Sequence, residues 1–207
     1  MQLPLFPNSS IKRIEFCASL LEFHPQFLSN KEAQQFFVLL EQELDWQQDE
    51  VFLYGKKHPI PRLNAWYGET DYTYSRNHMP ARPFGTTLDT LRQKIEDYCG
   101  ISYNSVLANF YRNGQDTMGW HADVNDGSDP NIAIASLSLG AERRFLFREN
   151  RSNNSKEPPK KLELLLNSGS LLLMHPPTQE RTQHSVPRSK KISHPRINLT
   201  FRSMLLP

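Results

Sequence analysis

Arg196-Ile197-Asn198-Leu199-Thr200-Phe201-Arg202 closes a series of short apolar segments at 105–111, 132–139, 143–148, 162–166, 170–174 and 196–202, separated by turn and loop material. Such a series predicts a mostly β, α+β protein whose core is a double-stranded β-helix, or jelly-roll, because stacked and closed sheets leave few exposed edges. A parallel α/β fold is disfavoured, since the gaps between segments are too short or too polar for helical crossovers. Within the quoted stretch Arg196 and Arg202 stand an even interval apart, so a regular strand puts both guanidiniums on one side together with Asn198. Turning two arginines inward is costly unless acidic groups satisfy them. A dicarboxylate would do so, as would Asp or Glu side chains across the barrel.

Upstream of the series the pattern is helical. One helix is predicted after Ser29, where Glu32 completes a capping box, with an apolar stripe of Phe36, Phe37, Leu39, Leu40 and Leu44. A second is signalled by Thr86 with Asp89, runs through Leu88, Leu91, Lys94, Ile95 and Tyr98, and stops at Gly100, which can adopt a left-handed cap. Both are expected to lie against a sheet. Between them residues 51–85 are rich in aromatics, Pro and Gly, with Val51 to Gly55 as a strand entering a tight turn. The expected organisation is a proline-containing leader over 1–12, an N-terminal extension with two helices over 13–104, and the jelly-roll over 105–207. The polar insertion Glu149 to Pro159 reads as a lid or hairpin tip, since it cannot bury a core of its own.

Among the 207 residues Lys and Arg number 24 against 22 Asp and Glu, a net charge of +2 that does not by itself mark a nucleic-acid binder. Distribution says more. Arg143, Arg144, Arg148, Arg151, Lys156, Lys160 and Lys161 form one basic stretch, and Arg181, Arg188, Lys190 and Lys191 another. They suit a polyanion, or simply a solvated face. Two cysteines, Cys17 and Cys99, build neither a disulfide framework nor a thiolate site, pointing to a reducing compartment. No signal-like or membrane-length apolar run is present, so a soluble, cytoplasmic protein is expected, bound to no membrane. A monomer is the default.

The chemistry-bearing residues are His121, Asp123 and His184. On an extended strand end residues two apart project to one side, so His121 and Asp123 can face a common centre to which another strand brings His184. Two imidazoles and a carboxylate on one face of an ion leave positions open for iron(II) chemistry, although zinc takes the same donors.

Asn109-Phe110-Tyr111-Arg112-Asn113-Gly114, Gly119-Trp120-His121-Ala122-Asp123, Ala133 to Arg143, Gly169-Ser170-Leu171-Leu172, His184-Ser185 and the 196–202 stretch together resemble the AlkB family of iron(II)- and 2-oxoglutarate-dependent dioxygenases. The resemblance runs from about Gly55 to Met204 in order and spacing, closest to the DNA-repair branch with homologues 2 and 3. It implies iron ligation by His121, Asp123 and His184, a distal 2-oxoglutarate carboxylate held by Arg196 with Tyr111, and contacts near the metal from Asn109 and Arg202, supported by Asn198. It further implies an N-terminal nucleotide-recognition region, base stacking by Tyr74, and substrate-side roles for Arg62 and Trp66. Tyr54, or Phe52 in its place, would intercalate at the hairpin tip, and Arg143 would brace the acidic loop beside the pocket.

Some relatives carry a second acidic residue after the ligand Asp. Here Val124 stands there, leaving Asp126 or Asp129 to substitute. The activity implied is oxidative dealkylation of bases such as 1-methyladenine and 3-methylcytosine in single- or double-stranded DNA. It would consume dioxygen and 2-oxoglutarate and release succinate, carbon dioxide and formaldehyde. The target base would leave the helical stack to be reached. RNA or a protein side chain is the alternative substrate, and a non-catalytic nucleic-acid-binding protein the alternative class.

Overall fold

The computed structural model describes residues 11–53, 55–74, 77–124, 127–150 and 157–206, giving the backbone alone at residues 52, 53, 74 and 77. In chain order the elements are β1 (Lys12–Phe16), β2 (Ser19–His24), α1 (Asn30–Glu43), β3 (Glu50–Leu53), β4 (Lys56–Pro59), β5 (Leu63–Gly68), β6 (Tyr72–Tyr74), β7 (Asn77–Met79), α2 (Thr86–Cys99), β8 (Ser105–Tyr111), β9 (Met118–His121), β10 (Ile134–Gly140), β11 (Arg143–Glu149), β12 (Lys161–Leu166), β13 (Ser170–Met174), α3 (Thr178–Arg181), β14 (Thr182–Val186) and β15 (Arg196–Arg202).

Seven strands make a large antiparallel sheet in the order β1, β2, β13, β10, β15, β8, β5, and four make a smaller one in the order β12, β11, β14, β9. The large sheet is covered on both faces. Its outer face packs Leu137, Leu139, Leu171, Leu173, Ile197, Leu199 and Phe201 against Ala33, Phe37 and Leu40 of α1 and Leu88, Leu91 and Ile95 of α2. Its inner face meets the small sheet through Leu21, Phe23, Leu172 and Met174 on one side and Phe145, Phe147, Leu164 and Leu166 on the other. The jelly-roll interior is therefore apolar where β2 and β13 face β11 and β12. Along β8, β10 and β15 the inward positions turn polar, with Asn109, Ser136, Ser138, Arg196, Asn198, Thr200 and Arg202 all buried. That change of inner-face chemistry marks where a site can lie.

Ser29 caps α1 with a complete capping box: its hydroxyl accepts from the Glu32 N–H at 3.3 Å and its own N–H donates to the Glu32 carboxylate at 3.0 Å. The buried stripe is Ala33, Phe37, Leu40 and Leu44, whereas Leu39 is 43% exposed. A 100° step per residue carries position 39 off the face set by 33, 37 and 40. The second helix ends at Gly100 with φ +69° as expected, but begins one position differently. Gly85 is its N-cap, with no side-chain cap bond, and Thr86 is already helical.

The large sheet does not stop at residue 105. β2 pairs with β13 and β5 with β8, so segments from the N-terminal half complete it, and Lys12 opens β1 instead of lying in a leader. The 51–85 region contributes two hairpins, β3 with β4 and β6 with β7, and Gly55 turns the first at φ +77°. Residues 151–156, which carry most of the expected lid, lie outside the described residues; the insertion joins β11 to its antiparallel neighbour β12.

Candidate metal and co-substrate site

The pairing of β14 with β9 puts His184 directly opposite His121, their rings 4.2 Å apart between centroids. Asp123 follows just past the end of β9. Its carboxylate oxygens lie 3.7 Å from His121 Nε2 and 3.8 Å from His184 Nε2, and one donor atom from each of the three falls within 4.8 Å of the others. The tautomer of His121 with hydrogen on Nδ1 donates to the Gly119 carbonyl at 2.9 Å, which leaves the Nε2 lone pair turned to the centre. His184 is buried and stacked on Phe145, 5.1 Å between centroids at 25°. Burial, with His121 adding, holds its pKa down at about 3, against the pull of Asp123, so its ring is neutral near pH 7. Burial opposes ionisation of Asp123 too, but Arg202 Nη2 at 3.1 Å from Oδ1 prevails and brings that carboxyl to about 2. Two imidazoles and one ionised carboxylate are a donor set that fits a divalent transition metal.

The other end of the pocket is built on one strand rung. Arg196 of β15 pairs with Tyr111 of β8 and Gly140 of β10, and its guanidinium lies 5.2 Å from the Tyr111 ring centroid. Arg196 is 1% exposed. Nη2 donates to the Ser138 hydroxyl at 3.0 Å, while Nε and Nη1 have no hydrogen-bond partner among the described residues. Nor does any described carboxylate lie within ion-pair distance of it. Burial lowers its pKa to about 10, which still leaves it cationic near neutrality. A buried, partly unsatisfied guanidinium costs several kcal/mol, on the order of the price for one desolvated ion, unless an anion joins it. The next rung aligns Ser138, Asn198 and Asn109. Asn198 donates to the Ser136 hydroxyl and the Leu137 carbonyl, at 2.9 and 3.0 Å. Asn109, Tyr111, Asn198 and Arg202 line one cavity with the two histidines and Asp123, and Arg196 lies behind that lining, against the Tyr111 ring.

The substrate-side expectations fare differently. Arg62 is 5% exposed and donates from Nε to the Asn109 side-chain oxygen at 2.7 Å; it orients Asn109 and is too deep to reach an outer phosphate. Trp66 is 2% exposed, stacked on Tyr72 at 4.4 Å, with its indole N–H given to the Thr70 carbonyl. It is a core residue whose face Tyr72 already covers. Arg143 donates to the carbonyls of Asn113, Asp116 and Pro187 and flanks the Tyr111 ring, so in this structure it braces the turn after β8. Tyr54 lies outside the described residues, as do the side chains of Tyr74 and Phe52 and the whole of Asp126.

Val124 is exposed, and Asp129 accepts from the Asn131 backbone and side chain. Both border a cleft of about 410 Å³ that reaches Asp123 and has Met174, His175 and Gln179 on its far wall. Two supporting residues went unremarked in the sequence. Ser138 shows itself by alternation on an inner face, and Gln179, in the short connection between β13 and β14, carries no sequence signal.

Fold and site together define an oxygenase-type jelly-roll, and comparison with known proteins agrees. Residues 21–202 match the 2OG-Fe(II) oxygenase superfamily. The chain belongs to that family. It is 38% identical over 185 residues to alpha-ketoglutarate-dependent dioxygenase alkB homolog 3 of Homo sapiens, an alignment that takes in 87% of this chain and spans 65% of the human protein's length. It is 37% identical over 182 residues to DNA oxidative demethylase ALKBH2 of Mus musculus, covering 84% of this chain and 76% of that protein. A solved structure, that of OsALKBH1, superposes with a TM-score of 0.59 at 17% identity over 88% of this chain and 97% of its own, a likeness of fold.

Proposed function

We propose that this chain is an iron(II)- and 2-oxoglutarate-dependent dioxygenase that removes alkyl groups from ring nitrogens of DNA bases, 1-methyladenine and 3-methylcytosine among them. One observation carries the reading: the His121, Asp123 and His184 donors share a cavity with Tyr111, and against the Tyr111 ring lies a buried guanidinium, Arg196, that has no carboxylate partner among the described residues. Nε2 of each histidine and the Asp123 carboxylate would hold the metal. Arg196 with the Tyr111 hydroxyl would take the distal carboxylate of 2-oxoglutarate, bidentate pairing being what a guanidinium does best, and Arg202 and Asn109 would face the end nearer the metal. Bound iron, with 2-oxoglutarate and dioxygen, supplies the oxidising chemistry. The chain's own contribution is placement and dryness: Leu107, Met118, Phe145, Met174 and Val186 line the cavity around the donors and exclude water from them.

The DNA assignment leans on likeness to a protein named as a DNA oxidative demethylase. Base stacking by Tyr74 and intercalation by Tyr54 or Phe52 rest on family resemblance. Formaldehyde release, measured side by side on methylated single-stranded DNA, duplex DNA, RNA and a methylated peptide, tests the proposal. Release from DNA with succinate formed in step is the expected result. Release from RNA or peptide alone would move the substrate class, and none from any would remove the dealkylase reading.

A further inference from the structure

Asp123 lies beyond the end of β9, so no sheet ladder holds its backbone. Its N–H instead donates to the side-chain oxygen of Gln179 at 3.0 Å, at the cleft lined by Ala122, Val124 and Asp129 as well as by residues of α3. We infer that Gln179 is a positioning residue for Asp123, an inference that rests on the reading of His121, Asp123 and His184 as metal ligands.

Three features make this bond more than incidental. First, the amide is oriented: its Nε2 lies 3.4 Å from the Met174 sulfur, a weak acceptor, and a flip would turn an NH₂ group against the Asp123 N–H. Second, the short helix that bears it is tied down. The Thr178 N–H and hydroxyl both donate to the His175 carbonyl, Thr182 returns a bond to the Thr178 carbonyl, and Asn150 holds the carbonyls of Glu180 and Arg181. Third, α3 leads directly into β14, the strand of His184. The Gln179 amide therefore couples the loop bearing one ligand to the segment that sets another. Arg202 grips the same aspartate by its carboxylate, so backbone and side chain are anchored from opposite walls. With the backbone anchor gone, the carboxylate would lose its fixed distance from the two imidazoles, and metal affinity would pay for ordering it.

The test uses the full chain, metal-free, titrated with cobalt(II) by calorimetry and by its visible absorption spectrum, which reports ligand geometry. Gln179→Met keeps the side chain's length and removes the acceptor; Gln179→Glu keeps an acceptor oxygen. Gln179→Ala, run in parallel, removes the acceptor even if the Met variant does not fold. The expected result is a loss of about 10- to 100-fold in cobalt affinity for the Met and Ala variants, the range typical of outer partners of metal ligands, with an altered spectrum. The Glu variant should recover most of that affinity, and the thermal midpoint of the metal-free protein should stay near wild type in all. Wild-type affinity and spectrum in a folded Met or Ala variant, or a Glu variant as weak as they are, would overturn the positioning role. A wild-type chain that binds no cobalt would overturn the metal-ligand reading itself, and this role with it.

Discussion

Arg202 Nη2 lies 3.1 Å from Oδ1 of Asp123, an ion pair that ties the last strand of the large sheet to the residue just past β9. Both partners are largely withdrawn from solvent, with side-chain exposures of 2% and 11%. In such a pair each charge depends on the other, and removal of one leaves a desolvated ion behind.

Replacing Asp123 with Ala should therefore do two things at once. Metal binding and turnover disappear, and the metal-free protein loses about 3–5 kcal/mol of stability because Arg202 stays buried without its carboxylate. Denaturant melts alongside a metal titration check both; full stability in the variant would mean that the pair does not hold Asp123 in solution.

Arg196→Leu should act in the opposite sense on the two measurements. Removing a buried cation that has no described carboxylate partner stabilises the metal-free chain, while the 2-oxoglutarate requirement rises steeply. A loss of about 2–5 kcal/mol in co-substrate affinity is the expectation for a buried carboxylate left unpaired. Melting curves with and without 2-oxoglutarate read both effects. An undiminished shift on adding 2-oxoglutarate would place the diacid elsewhere.

The pH dependence of stability follows from His184 and Asp123. His184 is held at about 3 in the fold against an ordinary 6.5, so below 6.5 the unfolded chain takes up a proton that the folded chain refuses. Stability that is fully present above pH 6.5 is lost as the pH falls towards 3. Asp123, at about 2 against an ordinary 3.8, extends the loss from about 3.8 down to 2 by the same sign. His24, also lowered by burial, contributes in the same direction. The metal-free thermal midpoint should fall as the pH drops from 7 to 4, and His184→Phe, which keeps a ring against Phe145, should flatten that fall. An equal slope in the variant would show that His184 is not buried neutral.

Trp66→Phe separates a core role from a substrate role. The indole stacks on Tyr72 and bonds the Thr70 carbonyl, so the variant should lose about 1–3 kcal/mol of stability while the KM for methylated DNA stays put. A raised KM with unchanged stability would return Trp66 to the substrate surface.

Much of this was legible in the residues. Four strands of the large sheet, β8, β10, β13 and β15, are apolar enough to be read as strands, whereas β1, β2 and β5 are not, and the alternation of Arg196, Asn198 and Arg202 correctly anticipates one polar inner face. β9 and β14, which carry the histidines, read only as a strand end and an unnamed neighbouring strand because Met-Gly-Trp-His and Thr-Gln-His-Ser-Val lack an apolar run. Their pairing comes from tertiary closure of the small sheet, which no local pattern encodes. The roles expected of Arg62, Trp66 and Arg143 on the substrate side come from the family resemblance, which matches positions and not depth. What decides their roles is depth: each finds its partners inside the protein, and that depends on packing among segments distant in sequence.

Anaerobic titration of the metal-free chain with iron(II), with and without 2-oxoglutarate, tests the central claim most directly. The account predicts one iron per chain, 2-oxoglutarate binding that strengthens when iron is present, and loss of that mutual effect in the Arg196→Leu variant. Iron binding that leaves 2-oxoglutarate affinity unchanged, or that survives intact in Asp123→Ala, would contradict it.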